Sequence, residues 1–459
     1  MRRHSLVMLL VVGLLITSAV SCAFRLQATP TPAAPPSTPP AELITQAREF
    51  VDLLAREDYA TAARMFNATM ANAFPLNKLQ ETWKAVIAQV GAFKRQGDTR
   101  IEKSGQFDVV FVACEFEQMT LDVKVVFNAA RQISGLWFTP HQAAVEYLPP
   151  AYTRADAFQE KEVQVGTGNL ALPGTLSMPE GRGPFPALVL VHGSGPNDRD
   201  ETVGANKPFR DLAWGLASRG IAVLRYDKRT KAHPEQVASL KNTFTVKEEV
   251  VDDVLAAVAL LRKTAGIDPK RVFVLGHSLG GTLIPRLAQA EAEIAGFIIL
   301  AGATRPLEDL VLYQTTYLAS LDGSLSDSDK AELEGLEKQV ERVKDPNLSA
   351  TANPDEVLLG APVSYWLDLR GYHPAEVAAD IEQPMLILQG ERDYQVTLED
   401  FEGWKKGLSS RHNVEFKLYP KLNHLFIAGE GPSSPAEYEV PGHVAEEVIS
   451  DIAAWIGKH

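Results

Sequence analysis

The chain has 459 residues, of which 45% are hydrophobic and 22% are charged, the balance of a soluble globular protein. This length exceeds one ordinary core, so we expect two domains plus appendages. The net charge of −13, with no basic stripe, argues against nucleic acid as a partner. The two cysteines, Cys22 and Cys114, have no zinc-type spacing, so no metal site is predicted.

The first residues have the pattern of a secretory signal peptide, which we place at 1–22. Two arginines precede an apolar run over 6–16 that is too short to favour a membrane-spanning helix. The sequence Ala-Val-Ser-Cys at 19–22 resembles a bacterial lipobox, which implies a lipid anchor on Cys22 as the link to a membrane. Ordinary signal-peptidase cleavage in the same segment is the alternative. Both predict an extracytoplasmic protein, either a membrane-anchored lipoprotein or a secreted one.

Residues 23–41 are rich in proline, threonine and alanine, which is typical of an extended spacer. A first domain is predicted over 42–147. Its apolar residues recur with helical spacing at first, and apolar strands follow, Cys114 lying in one of them as a small buried hydrophobe. Predicted helices span 41–54, 59–66 and 76–90, and predicted strands span 107–116, 121–127 and 133–138.

Helices followed by antiparallel strands predict a small α+β fold for this first domain. The pattern resembles the cone-shaped nuclear-transport-factor-like (NTF2-like) domains. It is more similar still to the small domain of unknown function that precedes some bacterial secreted hydrolases. Since the sequence offers no convergent set of polar residues here, a packing or interaction role is favoured.

The second domain, predicted over 158–459, alternates strands with helices. Most of its strands are almost entirely apolar, so we expect an α/β fold with a mostly parallel sheet covered on both faces. From about 303 to 379 the alternation stops and helices are predicted instead, which indicates a helical cap over the sheet edge that shapes access. The main predicted strands are 187–191, 221–226, 272–275, 297–300, 385–388 and 414–418.

The most informative stretch of the chain is Gly276-His277-Ser278-Leu279-Gly280. A buried strand precedes it and a helix-compatible segment follows it, so Ser278 lies at the apex of a tight turn. Such a turn holds the hydroxyl above the sheet and requires minimal side chains two positions away on either side. The backbone N–H of Leu279 begins the helix, where a developing anion is stabilised.

Two later strands are each followed by a residue suited to acid–base work. Asp393 follows the strand at 385–388, and His424 follows the strand at 414–418. Because the carboxyl ends of parallel strands share one edge, these residues are expected to meet Ser278 there. Glu391 is the alternative acid. Three other histidines are excluded by position: His412 precedes its strand, His443 begins the last helix, and His277 lies inside the turn, pointing elsewhere.

The chain order Ser278, Asp393, His424 resembles that of the α/β-hydrolase superfamily over about 158–459. The resemblance implies an oxyanion hole made by the N–H groups of Leu279 and Ser194, the latter in the turn His-Gly-Ser-Gly at 192–195, with a neighbouring glycine as the alternative donor. Charged clusters at 198–201 and 227–229 are interpreted as ion-paired scaffolding. Similar groups are bacterial secreted carboxylesterases, serine aminopeptidase-like and dienelactone-hydrolase-like proteins.

The function predicted from these residues is hydrolysis of a small carboxylic ester with a short acyl chain, through an acyl-enzyme intermediate. No metal or organic cofactor is expected. A peptidase or amidase, a thioesterase or carbon–carbon hydrolase, and a catalytically idle envelope binding protein are the alternatives. The sequence predicts no oligomeric state.

Overall fold

The computed structural model of the protein describes residues 40–104, 107–141, 147–321, 323–351 and 355–459. The chain divides into two compact units, Met1–Ala144 and Val145–His459. The predicted signal peptide, Cys22 and nearly all of the predicted spacer lie outside the described residues. In the part that the structure describes, no helix has the length and apolar character needed to cross a membrane.

The first unit consists of helices followed by a four-stranded antiparallel sheet in the order β1-β2-β3-β4, which confirms the predicted α+β fold. The helices pack on one face of the sheet around an apolar core that includes Trp83 and Phe116. Its elements are α1 (Pro40–Ala55), α2 (Tyr59–Ala63), α3 (Ala68–Ala73), α4 (Leu76–Val90), β1 (Phe93–Ser104), β2 (Phe107–Phe116), β3 (Thr120–Phe127) and β4 (Ile133–Pro140).

Three features of this unit differ from the sequence-based expectation. Helix α1 begins at Pro40, inside the predicted spacer, because a proline fits the first turn of a helix. The short helix α3 and the strand β1 had not been predicted. Strand β1 is an edge strand with many charged residues, so it lacks the apolar pattern of a buried strand. Cys114 is fully buried as predicted, and burial raises the pKa of its thiol to about 12.

The second unit is built on an eight-stranded sheet in the order β14-β13-β10-β9-β7-β8-β6-β5. The pairs from β14 through β8 are parallel, whereas β6 pairs antiparallel with both β8 and β5, so the predicted mostly parallel sheet is confirmed. The strands are β5 (Phe158–Val165), β6 (Leu172–Pro179), β7 (Phe185–Val191), β8 (Ala222–Tyr226), β9 (Ile267–His277), β10 (Phe297–Leu300), β13 (Met385–Gly390) and β14 (Val414–Tyr419), with a separate two-stranded ribbon of β11 (Val357–Leu358) and β12 (Ala361–Pro362).

Helices cover both faces of this sheet, as expected for a parallel α/β arrangement. Successive residues of β9 enter opposite core layers: Val274 faces one layer, and Phe273 and Leu275 face the other. The helices are α5 (Pro208–Ala217), α6 (Arg229–Ala232), α7 (Pro234–Leu240), α8 (Asp252–Lys263), α9 (Leu279–Thr282), α10 (Ile284–Ala290), α11 (Leu307–Ala319), α12 (Asp327–Lys344), α13 (Val363–Leu369), α14 (Pro374–Ala379), α15 (Leu398–Gly407) and α16 (Glu446–Lys458).

Two boundaries in this unit differ from those that the sequence predicts. Tyr147 was assigned to the first domain, but its hydroxyl donates to Asp211 on α5, so it belongs with the second unit. The helix after the serine turn, drawn as one, is broken at Leu283 into α9 and α10. Pro285 explains the break, since proline fits only the first turn of a new helix.

Candidate active site

The six parallel strands of the sheet, β14, β13, β10, β9, β7 and β8, bring their carboxyl ends to one edge. In the register of the ladder, His277 of β9 lies opposite Leu300 of β10, which in turn lies opposite Leu388 of β13. On the other side of β9, Val191 at the end of β7 is paired with Gly276. The loops that follow these strands therefore converge, and every residue singled out from the sequence as a catalytic candidate lies on one of them.

Ser278 occupies a strained turn between β9 and α9. Its backbone dihedrals are φ 53° and ψ −117°, a conformation that residues other than glycine rarely adopt. A Cβ on Gly276 would clash with the backbone of Gly280, and a Cβ on Gly280 would clash with the carbonyl of Val191. Both flanking glycines are therefore required by close backbone approach. Leu279 is the first residue of α9, so its N–H is a free helix-terminal donor.

Asp393 and His424 form a buried pair at the ends of β13 and β14. The Nδ1 atom of His424 lies 2.7 Å from Oδ2 of Asp393, and the two residues are 4% and 5% exposed. The other oxygen of Asp393 accepts the backbone N–H groups of Gln395 and Val396, at 2.8 and 3.0 Å. These bonds fix the carboxylate toward the imidazole. Glu391, the alternative acid, is exposed to solvent.

Ser278 follows β9 and His424 follows β14, and both strands end at the same edge of the sheet. Among the described residues, however, no hydrogen bond joins the serine hydroxyl to the imidazole. Ser278 itself is partly exposed, whereas the adjacent His277 is buried. The rings of His277 and His424 are in contact, with their centroids 4.7 Å apart. The serine and the imidazole are thus brought near one another through the residue that precedes the serine.

The sequence predicted that His277 points away from the site. This prediction is wrong, because the His277 ring lies within the site against the ring of His424. Its Nε2 atom lies 3.0 Å from the backbone carbonyl oxygen of His424, and its Nδ1 atom lies 2.8 Å from Oε2 of Glu201. Burial acts to lower the pKa of His277, but the carboxylate of Glu201 outweighs it and raises that pKa above its usual value. A carbonyl can only accept, so Nε2 carries a proton.

The turn after β7 lies against the serine. A Cβ placed on Gly193 would be 3.1 Å from Cβ of Ser278. The N–H of Gly193 donates to Glu201 at 2.6 Å, so it is already occupied. Among the described residues, the N–H of Ser194 donates to no protein acceptor, and Ser194 is exposed. Of the donors considered in this turn, Ser194 therefore has its N–H available and Gly193 does not.

The charged clusters beside this turn are ion-paired. Arg199 has its Nε atom 3.2 Å from Asp227, and Arg229 pairs with Asp253 on α8. Glu201 is also part of the first cluster, and its contacts with Gly193 and His277 were not predicted. One glutamate in a run of charged loop residues carries no sequence signal of such a role.

A cavity of about 410 Å³ lies between cap helix α11 and the loops after β13 and β14. The rings of Tyr317 on α11 and Tyr394 stack 4.9 Å apart at one side of it. Asp393, Glu391 and Glu399 also line this cavity. Across the described residues, no group of three or more His, Cys, Asp or Glu side chains is arranged to hold a metal ion.

The sheet topology, the strained serine turn and the acid and histidine at later strand ends define an α/β-hydrolase. A family model described as "Serine aminopeptidase, S33" matches residues 186–430, more than half of the chain, and the protein belongs to this family of hydrolases. A model described as "Protein of unknown function (DUF3887)" matches residues 47–136 in the first unit.

Individual proteins are similar to this chain over most of its length. Esterase EstD of Thermotoga maritima is 39% identical over 412 residues, which cover 89% of this chain and 94% of that protein. Among solved structures, the Pyrococcus furiosus esterase PF2001 is 18% identical with a TM-score of 0.44, over 70% of this chain and 97% of that one. Est1E from Butyrivibrio proteoclasticus is 16% identical with a TM-score of 0.41, over 65% and 99%.

Proposed function

We propose that this protein is a serine esterase that hydrolyses small carboxylic esters with short acyl chains. The observation that carries the proposal is the strained Ser278 turn after β9, at the same sheet edge as a buried Asp393–His424 pair that follows β13 and β14. The name of the relative with 39% identity, an esterase, supports the same reaction class.

In the proposed reaction, His424 removes the proton of Ser278 through Nε2, the nitrogen that does not face Asp393. The serine oxygen attacks the ester carbonyl, and Asp393 stabilises the imidazolium that forms. His424 then gives the proton to the departing alkoxide, and water hydrolyses the acyl-enzyme by the same route. The Ser278–His424 hydrogen bond would form with substrate bound, since catalytic hydrogen bonds often tighten only in that complex.

The negative charge on the substrate oxygen would be held by the backbone N–H groups of Ser194 and Leu279. Leu279 supplies the N-terminus of α9, and Ser194 supplies a donor that has no protein acceptor in the described structure. Loss of one such donor costs about 2.7–4 kcal/mol of transition-state stabilisation in other serine hydrolases. The two donors are therefore expected to account for a large part of the rate.

A peptidase acting at a free amino terminus is the second candidate. The matching family is described as a serine aminopeptidase, and two carboxylates, Glu391 and Glu399, line the cavity beside Asp393. Arg392 also lines this cavity and Glu399 is paired with Arg305, so Glu391 is the carboxylate that would attract a substrate ammonium group. A neutral ester has no such group, so the two candidates differ in the substrate charge that they require.

Turnover of p-nitrophenyl acetate and butyrate, compared with aminoacyl p-nitroanilides, tests the proposal. We expect the esters to be hydrolysed and Ser278→Ala to abolish their turnover, while Ser409→Ala, which changes an exposed serine on another loop, leaves it unchanged. Faster turnover of the anilides than of the esters would favour the peptidase. Undiminished ester turnover by Ser278→Ala would refute the proposed nucleophile.

For the N-terminal segment, we propose export and lipidation of Cys22, which would place the enzyme outside the cytoplasm on a membrane. Expression of the full chain in a bacterium supplied with labelled palmitate should label the wild type and leave Cys22→Ala unlabelled. Equal labelling of both proteins, or of neither, would contradict the lipid anchor.

A further inference from the structure

Both polar groups of Gly193 in the turn after β7 are held by buried charged side chains. Its N–H donates to the carboxylate of Glu201, and its carbonyl oxygen accepts from Nζ of Lys228 at 2.7 Å. Lys228 is 2% exposed and Glu201 is 3% exposed. The side-chain amide of Asn197 also donates to the carbonyl of Gly193, at the longer distance of 3.2 Å. A short turn is thus fixed by charges that the proposed reaction does not itself use.

The carbonyl of Gly193 and the N–H of Ser194 belong to one peptide group. That group is planar and trans, so its carbonyl and its N–H point in opposite directions. A lysine ammonium that fixes the carbonyl on one side therefore fixes the direction of the Ser194 N–H on the other. The positive charge on the carbonyl also polarises the peptide and strengthens its N–H as a donor.

The surroundings of Lys228 are organised to keep its ammonium in this place. Oε1 of Glu249 lies 2.6 Å from Nζ, and the hydroxyl of Tyr365 donates to the other oxygen of Glu249 at 2.7 Å. Glu249 is only 6% exposed. Removing two charges from water is costly, and proteins with apolar residues in place of such a buried pair are often as stable or more stable. Stability alone therefore gives little reason for a buried lysine at this position.

We propose that Lys228 is a positioning residue for the oxyanion hole, acting through the Gly193–Ser194 peptide, with Glu249 as its buried ion-pair partner. This inference rests on the proposed function, because it presumes that Ser194 and Leu279 hold the oxyanion formed when Ser278 attacks. The inference predicts that Lys228 helps to stabilise the transition state, measured by kcat, and has little effect on substrate binding, measured by KM.

The test is the double variant Lys228→Met/Glu249→Gln, which removes both charges and leaves no buried ion unpaired. The matched control is Arg229→Met/Asp253→Asn, which removes the ion pair made by the next residue along the chain, Arg229, with the first turn of α8, and leaves the turn at Gly193 untouched. Three quantities are measured for each protein: kcat and KM for p-nitrophenyl butyrate, and the inhibition constant of an aryl trifluoromethyl ketone. Such a ketone forms a tetrahedral adduct with a serine nucleophile and so requires the oxyanion hole.

Relative to the control, we expect the Lys228 variant to lose about 10- to 100-fold in kcat, with KM changed by less than about threefold. We expect its affinity for the ketone to fall by a similar factor. The single variant Lys228→Arg, which keeps a cationic donor, should recover part of the loss.

If kcat and ketone affinity in the Lys228 variant match those of the control, the lysine does not position the oxyanion hole and the inference is wrong. A change confined to KM would also overturn it. If the wild-type protein does not bind the ketone at all, Ser278 is not the nucleophile, and the proposed function fails together with this inference. Failure of the inference alone leaves wild-type inhibition intact, so the two failures are distinguishable.

Discussion

The Nε2 atom of His277 donates to the backbone carbonyl oxygen of His424 at 3.0 Å. The residue before the proposed nucleophile thereby supports the main chain of the proposed base. Glu201, on the loop after β7, holds the other nitrogen of His277 and also the N–H of Gly193. Glu201 and His277 together therefore connect three loops of the site, those after β7, β9 and β14. Displacement of any of these loops is expected to affect the other two.

From this contact we expect His277→Phe to lower kcat for p-nitrophenyl butyrate by about tenfold, because small misplacements of reacting groups have costs of this size or larger. His277→Gln keeps a donor near the carbonyl and should retain more activity than the phenylalanine variant. Thermal unfolding of both variants separates catalytic from structural loss. Wild-type kcat in a folded His277→Phe protein would show that the contact has no catalytic consequence.

The identity of the acid is tested by comparing Asp393→Asn with Glu391→Gln. Of these two acids, Asp393 is the one that contacts His424, so its amide variant should lower kcat by about 10⁴-fold, as loss of the orienting carboxylate does in another serine hydrolase. Glu391 is exposed, and its variant should stay within about threefold of wild type. The opposite ranking of the two variants would reassign the acid.

The serine turn makes a prediction about stability. A methyl group on Gly276 would meet the backbone of Gly280, so we expect Gly276→Ala to lower the free energy of unfolding by about 1–3 kcal/mol. Gly335 lies exposed in α12 with open space around its Cα, so Gly335→Ala should raise stability by about 0.5–1 kcal/mol. Urea titrations measure both. Equal midpoints for Gly276→Ala and wild type would contradict the close packing of the turn.

Stability should also depend on pH through His192, whose pKa is lowered to about 4 by burial. Between about pH 6.5 and pH 4, the imidazole of His192 is protonated in the unfolded chain but stays neutral in the folded protein. The free energy of unfolding therefore falls as the pH falls toward 4. At pH 5 this effect lowers the free energy of unfolding by about 2 kcal/mol. We expect His192→Phe to lose that much less stability between pH 7 and pH 5 in denaturant titrations. Parallel pH profiles for the two proteins would rule this out.

The sequence was informative wherever a local pattern reflects a local constraint. The apolar runs predicted the parallel sheet, and the sequence Gly-His-Ser-Leu-Gly at 276–280 predicted a tight, strained turn at Ser278. Strand β1 was missed because its charged residues belong to a sheet edge, where one side needs no apolar partner. Lys228 and Glu201 were read as scaffolding because long-range pairing decides what a charged residue contacts. No spacing along the chain shows that both of them meet Gly193.

The central claim is that Ser278 is the nucleophile, and labelling with a fluorophosphonate tests it most directly. The reagent should modify the folded wild-type protein at one site, identified as Ser278 by peptide mass spectrometry, and labelling should be absent in Ser278→Ala and slowed in Asp393→Asn. Ester hydrolysis should disappear in proportion to the labelled fraction. Labelling at another serine, or full hydrolytic activity in protein whose Ser278 is modified, would contradict the account.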